Sequence, residues 1–97
     1  MISPEDKEAI IQLAQRYQIT RLLLFGSCAD PLREGRDIDL AVEGLSPGAF
    51  FQFYGDLLFS VSKSVDLIDL AQENKFTRIV RREGIPLYDF SQGTRRS

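Results

Sequence analysis

The sequence contains no histidine. That absence excludes His-based acid–base catalysis and the usual zinc sites, so a metal on this chain is expected to be held by oxygen. Cysteine is nearly absent as well. Cys28 stands alone, which rules out an intrachain disulfide and fits a reducing, cytoplasmic setting. No apolar run approaches the ~20 residues that span a bilayer. The N-terminus, MISPEDKEAI, lacks the basic-then-apolar layout of a signal peptide, so no membrane association is expected. Charge of either sign is not in large excess. A net charge of −2 and a pI near 5.0 argue against broad non-specific nucleic-acid binding, and no direct nucleic-acid partner is expected. Internal repeats, linkers and low-complexity blocks are also missing, and 97 residues suffice for one modest core. The expectation is one domain over 1–97, with 91–97 a flexible tail.

The residues that are present describe a small α/β (α+β) unit. Ser3-Pro4-Glu5-Asp6 combines a capping hydroxyl, proline at the first helical position and acids for the positive helix end. Apolar Ala9, Ile10, Leu13, Ala14 and Tyr17 then recur at helical spacing, predicting an amphipathic helix over 4–18. Strands are predicted at 20–25, 37–43 and 65–70. A second helix runs from Pro47 to about Lys63, with a wide stripe from Phe50 and Phe51 to Leu58 and Val61. Asn74 caps a last helix through Glu83, with Gly84 in the C′ position and Pro86 beyond. The expected architecture is a small mixed sheet of three to four strands with the helices on one side. Arg78, Arg81, Arg82, Arg95 and Arg96 crowd into the last quarter and read as a solvated helix face and tail.

Carboxylates inside apolar strands carry the chemistry. In DIDLAVE, residues 37–43, Asp37, Asp39 and Ala41 share one face while Ile38, Leu40 and Val42 share the other. The two aspartates stand roughly 6.5–7 Å apart at Cα. At ~5 Å between charges and an effective dielectric of ~20, their repulsion is about 3 kcal/mol, which a divalent cation would offset. In VDLIDL, residues 65–70, Asp66 and Asp69 fall on opposite faces. Alternation alone does not say which of them lies beside the Asp37/Asp39 pair. Gly26-Ser27, directly after the first strand, offers either a tight turn or a close backbone approach to phosphate.

Taken together, FGS, nine residues, DIDLAVE and then VDLIDL resemble the nucleotidyltransferase superfamily that shares the DNA polymerase β palm. The short length, and the closing segment FTRIVRREGIPLYDF, resemble its minimal nucleotidyltransferase (MNT) branch. The resemblance implies a polymerase β palm-like fold, with Asp37, Asp39 and Asp66 as catalytic, metal-holding acids for two Mg²⁺ ions. Gly26 and Ser27 would cradle the triphosphate of ATP, and Asp69 would lie outside the site. The sequence departs from the family where Cys28-Ala29-Asp30 replaces the frequent Ala-Arg-Gly, and where Arg36 replaces a frequent serine. Arg33 or Arg36 then has to supply the basic group that Asp30 does not.

Minimal nucleotidyltransferases typically pair with an all-helical HEPN-type toxin. What the resemblance implies is therefore an antitoxin of a type VII-like toxin–antitoxin pair, transferring AMP from ATP to a tyrosine of that toxin. Two rival expectations stand beside it. One is an antitoxin that acts by contact alone, through the aromatic stripe and the C-terminal arginines. The other is a transferase for a small cationic acceptor of the aminoglycoside kind, its site completed by a homo-oligomer.

Overall fold

A computed structural model describes residues 2–26 and 37–90. Helix α1 spans Pro4–Arg16. It starts as its sequence directs, the Asp6 amide donating to Ser3 Oγ at 3.1 Å. It ends two residues short of the predicted 18 because Gln18 turns left-handed, with φ 56°. The Gln18 amide then donates to the Gln15 carbonyl and the Ile19 amide to that of Ala14. This is the paired-bond stop usually built on glycine, and it drives Ile19 into the core, fully buried.

Strand β1, Arg21–Phe25, is followed by β2, Asp37–Glu43. A short 3₁₀ turn, Pro47–Ala49, leads into helix α2, Phe50–Ser60. The predicted extension of α2 to Lys63 fails at a specific tie. The buried Asp6 carboxylate accepts from the Ser62 amide at 3.2 Å and the Ser62 hydroxyl at 2.8 Å. Those bonds hold Ser62 between α2 and strand β3, Ser64–Asp69. Helix α3, Lys75–Glu83, starts on a reciprocal cap between Asn74 and Thr77, as the sequence indicates. Its end differs from expectation. Gly84 is extended, with φ −67°, not left-handed. Glycine is needed there for space, since a Cβ would stand 2.7 Å from the Val80 carbonyl oxygen and 3.1 Å from Leu23 Cβ.

The chain then forms a strand absent from the predicted element order, β4, Ile85–Asp89. Pro86 hides it in the sequence, and an edge position makes the proline tolerable. A register shift between Leu22 and Leu23 accommodates the pairing. The strand order is β3-β2-β1-β4, with β2 and β3 parallel and the other pairs antiparallel. This is a small mixed sheet of four strands flanked by helices, as expected.

The helices do not all lie on one side of it. Leu22, Leu24, Ile38, Leu40, Val42 and Val65 pack under α1 and α2, against Ile10, Leu13, Phe53 and Leu57. Leu23, Ala41 and Leu70 pack with Val80 of α3 on the opposite face. That second face is the one carrying the odd-numbered aspartates of β2.

Candidate active site

Three backbone facts build the site. First, alternation along β2 directs Asp37 and Asp39 away from the main core and toward the α3 face. Second, β2 and β3 run parallel with Asp39 opposite Asp66, whereas Asp69 lies opposite Val42. Register therefore sets Asp66, and not Asp69, beside Asp39. Asp66 shares the face of Asp39, and the Asp69 carboxylate accepts from the Ala71 amide at 2.9 Å in the turn that ends β3. Third, β1 places Phe25 opposite Asp39, so the next residue, Gly26, closes over it.

Gly26 has φ +74°. Any other residue would be strained at this left-handed φ, and its Cβ would collide with Asp39 Oδ2. The sequence suggests a close approach to the backbone here. Among the described residues, the group that makes it is the Asp39 carboxyl itself. Ser27, Cys28, Asp30, Arg33 and Arg36 lie outside the described residues.

The electrostatics follow from that packing. The Asp39 pKa is raised above the usual carboxylate range. Burial is the largest cause, then the charge of Asp66 and its hydrogen bond to Asp39, then the charge of Asp37. Carboxylates crowded in this way repel one another, and a bound cation would relieve that repulsion. Among the described residues, no three His, Cys, Asp or Glu side chains converge as a ready-made metal cluster. The residues nevertheless fit a hard divalent ion: the donors are carboxylate oxygens, two of them abut, and a third carboxylate stands on the same face. Asp37 and Asp66 are exposed to solvent and Asp39 is half-buried, so the face is open to a ligand.

A cavity of ≈ 410 Å³ adjoins this face, lined in part by Phe25, Gly26, Phe76, Ile79 and Glu83. Phe25 and Phe76 meet edge to face with ring centroids 5.8 Å apart. Sequence reasoning missed this feature. Its signal was the 76, 79, 83 spacing on α3, which sits beside the buried Thr77 and Val80. On the far side of α3, Arg81 is not a solvated arginine as expected. It bonds Glu43 at 2.9 Å and the Leu70 carbonyl at 2.7 Å. Arg95 and Arg96 lie outside the described residues.

Acids in register on adjacent parallel strands, closed over by a glycine turn on a four-stranded palm-like sheet, define a class: the nucleotidyltransferase fold. The family model "Polymerase beta, Nucleotidyltransferase" matches residues 8–92, and the chain belongs to that family. One similar solved structure is a crystal structure of a toxin–antitoxin with AMP-PNP. It matches at a TM-score of 0.71 and 26% identity, over 90% of this chain and 76% of that one. Another is a tri-AMPylated Shewanella oneidensis HEPN toxin in complex with MNT antitoxin. It matches at a TM-score of 0.67 and 25% identity, over 93% of this chain and 75% of that one. The chain is thus a nucleotidyltransferase similar to MNT antitoxins of HEPN toxin pairs. A search among curated proteins returned no match. No helix among the described residues is long and apolar enough to cross a membrane.

Proposed function

We propose that this chain transfers AMP from ATP to a hydroxyl of a partner protein, a tyrosine of a HEPN-type helical toxin, and so acts as its antitoxin. The observation that carries the reading is the Asp39–Asp66 pair, in register on β2 and β3 and closed over by Gly26. The similar structures with AMP-PNP and with a tri-AMPylated toxin support ATP as donor and a HEPN toxin as acceptor.

Asp37, Asp39 and Asp66 would hold Mg²⁺, which supplies charge neutralisation between carboxylates and triphosphate and favours in-line displacement. The residues do the rest. Gly26, which packs against Asp39 at the end of β1, would let phosphate oxygens approach the backbone beside the acids. The acceptor oxygen attacks the α-phosphorus, forming the new O–P bond as the bond to the bridging oxygen of pyrophosphate breaks. The hydroxyl proton passes to the Asp66 carboxylate, the more exposed member of the pair, and from there to solvent. Pyrophosphate leaves with the electron pair of the broken bond.

A mass spectrum of the toxin after co-incubation with this chain, ATP and Mg²⁺ tests the reading. The expected result is a toxin heavier by whole AMP units, an increment lost with Asp66→Asn. An unmodified toxin overturns it.

A second reading, neutralisation by contact, draws on α2. Phe50, Phe53, Tyr54 and Leu57 of its predicted stripe pack inward, but Phe51 is 80% exposed and Leu58 47%. Phe59, the next residue, is 94% exposed. If Asp39→Asn still binds and silences the toxin at equal concentration, contact is sufficient.

A further inference from the structure

The cavity beside Gly26 has no part in the bond-making steps above, yet it is built in a way that packing alone does not require. Thr77 and Val80 already give α3 its buried side. Phe76 and Ile79 are left 52% and 47% exposed along the cavity wall. Its ≈ 410 Å³ falls within the roughly 300–1,000 Å³ of small-molecule sites. The walls are apolar and aromatic, with one carboxylate, Glu83, toward the C-terminal end of α3. The partner of that carboxylate among the described ion pairs is Arg82 at 3.7 Å, a surface contact between side chains 67% and 73% exposed. It does not commit Glu83.

We propose that this cavity seats the base of the nucleoside triphosphate. The Phe76 ring would stack on the base, and Glu83 would accept a hydrogen bond from its exocyclic amine. The inference rests on the nucleotidyl-transfer reading and deepens it. Continuity selects the occupant. Gly26 belongs both to the cavity wall and to the turn over Asp39, so one ligand with phosphates at the turn and a flat ring beyond it fills both. The acceptor is left the other approach. Asp66 lies on β3, separated from β1 by β2, while the cavity lies between β1 and α3. A base presents a π-face to an aromatic ring, whichever base it is. The Glu83 carboxylate then favours bases that carry an amine.

The test measures binding of Mg·ATP, Mg·UTP and Mg·tripolyphosphate by calorimetry to wild type, Phe76→Ala, Phe76→Leu and Glu83→Gln. Phe76 and Glu83 are exposed, and Phe76→Leu keeps apolar volume where Ala leaves a gap. Wild type is expected to bind ATP more tightly than tripolyphosphate. Both Phe76 variants should lose roughly tenfold or more in ATP affinity with tripolyphosphate unchanged. Glu83→Gln should narrow the preference for ATP over UTP. Unchanged ATP affinity in both Phe76 variants overturns the base seat while leaving nucleotidyl transfer standing. So does a Phe76 effect confined to the KM for the acceptor protein, which would assign the cavity to the acceptor. A wild type that binds neither ATP nor tripolyphosphate with Mg²⁺ overturns the nucleotidyl-transfer reading and the seat with it.

Discussion

The Asp39 carboxyl is half-buried, faces Asp66 and sits against Gly26, and its pKa is raised for those reasons. A raised acid favours the fold in its protonated form. Its contribution is full below the ordinary value of 3.8 and is lost as pH rises through the raised value. At neutral pH the metal-free protein therefore carries an electrostatic cost at this residue. Asp39→Asn removes that cost, and the expected outcome is a metal-free variant that melts above wild type at pH 7–8. The gap should close as the pH falls toward 4. The same variant should lose transfer activity at least about a hundredfold. Thermal melts across pH, paired with a transfer assay, check both. A variant that melts below wild type at neutral pH contradicts the electrostatic account. Much of this site is legible in sequence, because a two-residue period places Asp37 and Asp39 on one face without further information. Alternation does not choose between Asp66 and Asp69, since it gives faces but not the register between strands; in the sequence only the family resemblance singles out Asp66.

Between β1, β2 and α3, Glu43 acts as a two-way tie. It bonds Arg21 at 2.9 Å and Arg81 at 2.9 Å, each side chain less than a third exposed. The Arg81 hydrogen bond is the main cause that lowers the Glu43 pKa, opposed by burial and reinforced by Arg21. A lowered acid stabilises above its ordinary value of 4.5, and the contribution is lost as pH falls through the lowered value. Glu43→Gln should cost about 1–3 kcal/mol at pH 7, with the difference from wild type shrinking below pH 4. Denaturant unfolding at the two pH values reads this directly, and equal midpoints at pH 7 would count against the tie. Such a tie is invisible in sequence because its three members are 22 and 38 residues apart. Helix starts, by contrast, are local. Ser3-Pro4 and Asn74 with Thr77 act through bonds three residues long and are legible. Helix ends are less so. Gln18 adopts a left-handed φ without being glycine, and Gly84 is required by Leu23, a residue far away in the chain. Strand β4 is masked by Pro86, which only an edge position allows.

For the molecule as a whole, function follows from having two unlike sheet faces. One is closed by α1 and α2 into the main core. The other is only partly covered by α3, leaving the acids, Gly26 and the cavity open on a single surface. The motif G-S, nine residues, D-x-D and a later strand acid points to this arrangement because its spacing reflects the sheet: a turn after β1, then two acids on the neighbouring strand. The helices were expected on one side because α3 has the same amphipathic pattern as the others, and a pattern gives a buried face without saying which layer buries it. The central claim is that the acids on the open face move the α-phosphoryl group of ATP, as AMP, to the partner protein. The most direct measurement incubates this chain with its helical partner, Mg²⁺ and ATP labelled at either the α- or the γ-phosphorus. The account predicts covalent label on the partner from α-labelled ATP, none from γ-labelled ATP, and loss of the label with Asp66→Asn. Label from the γ-phosphorus, or α-label that persists in Asp66→Asn, would contradict it.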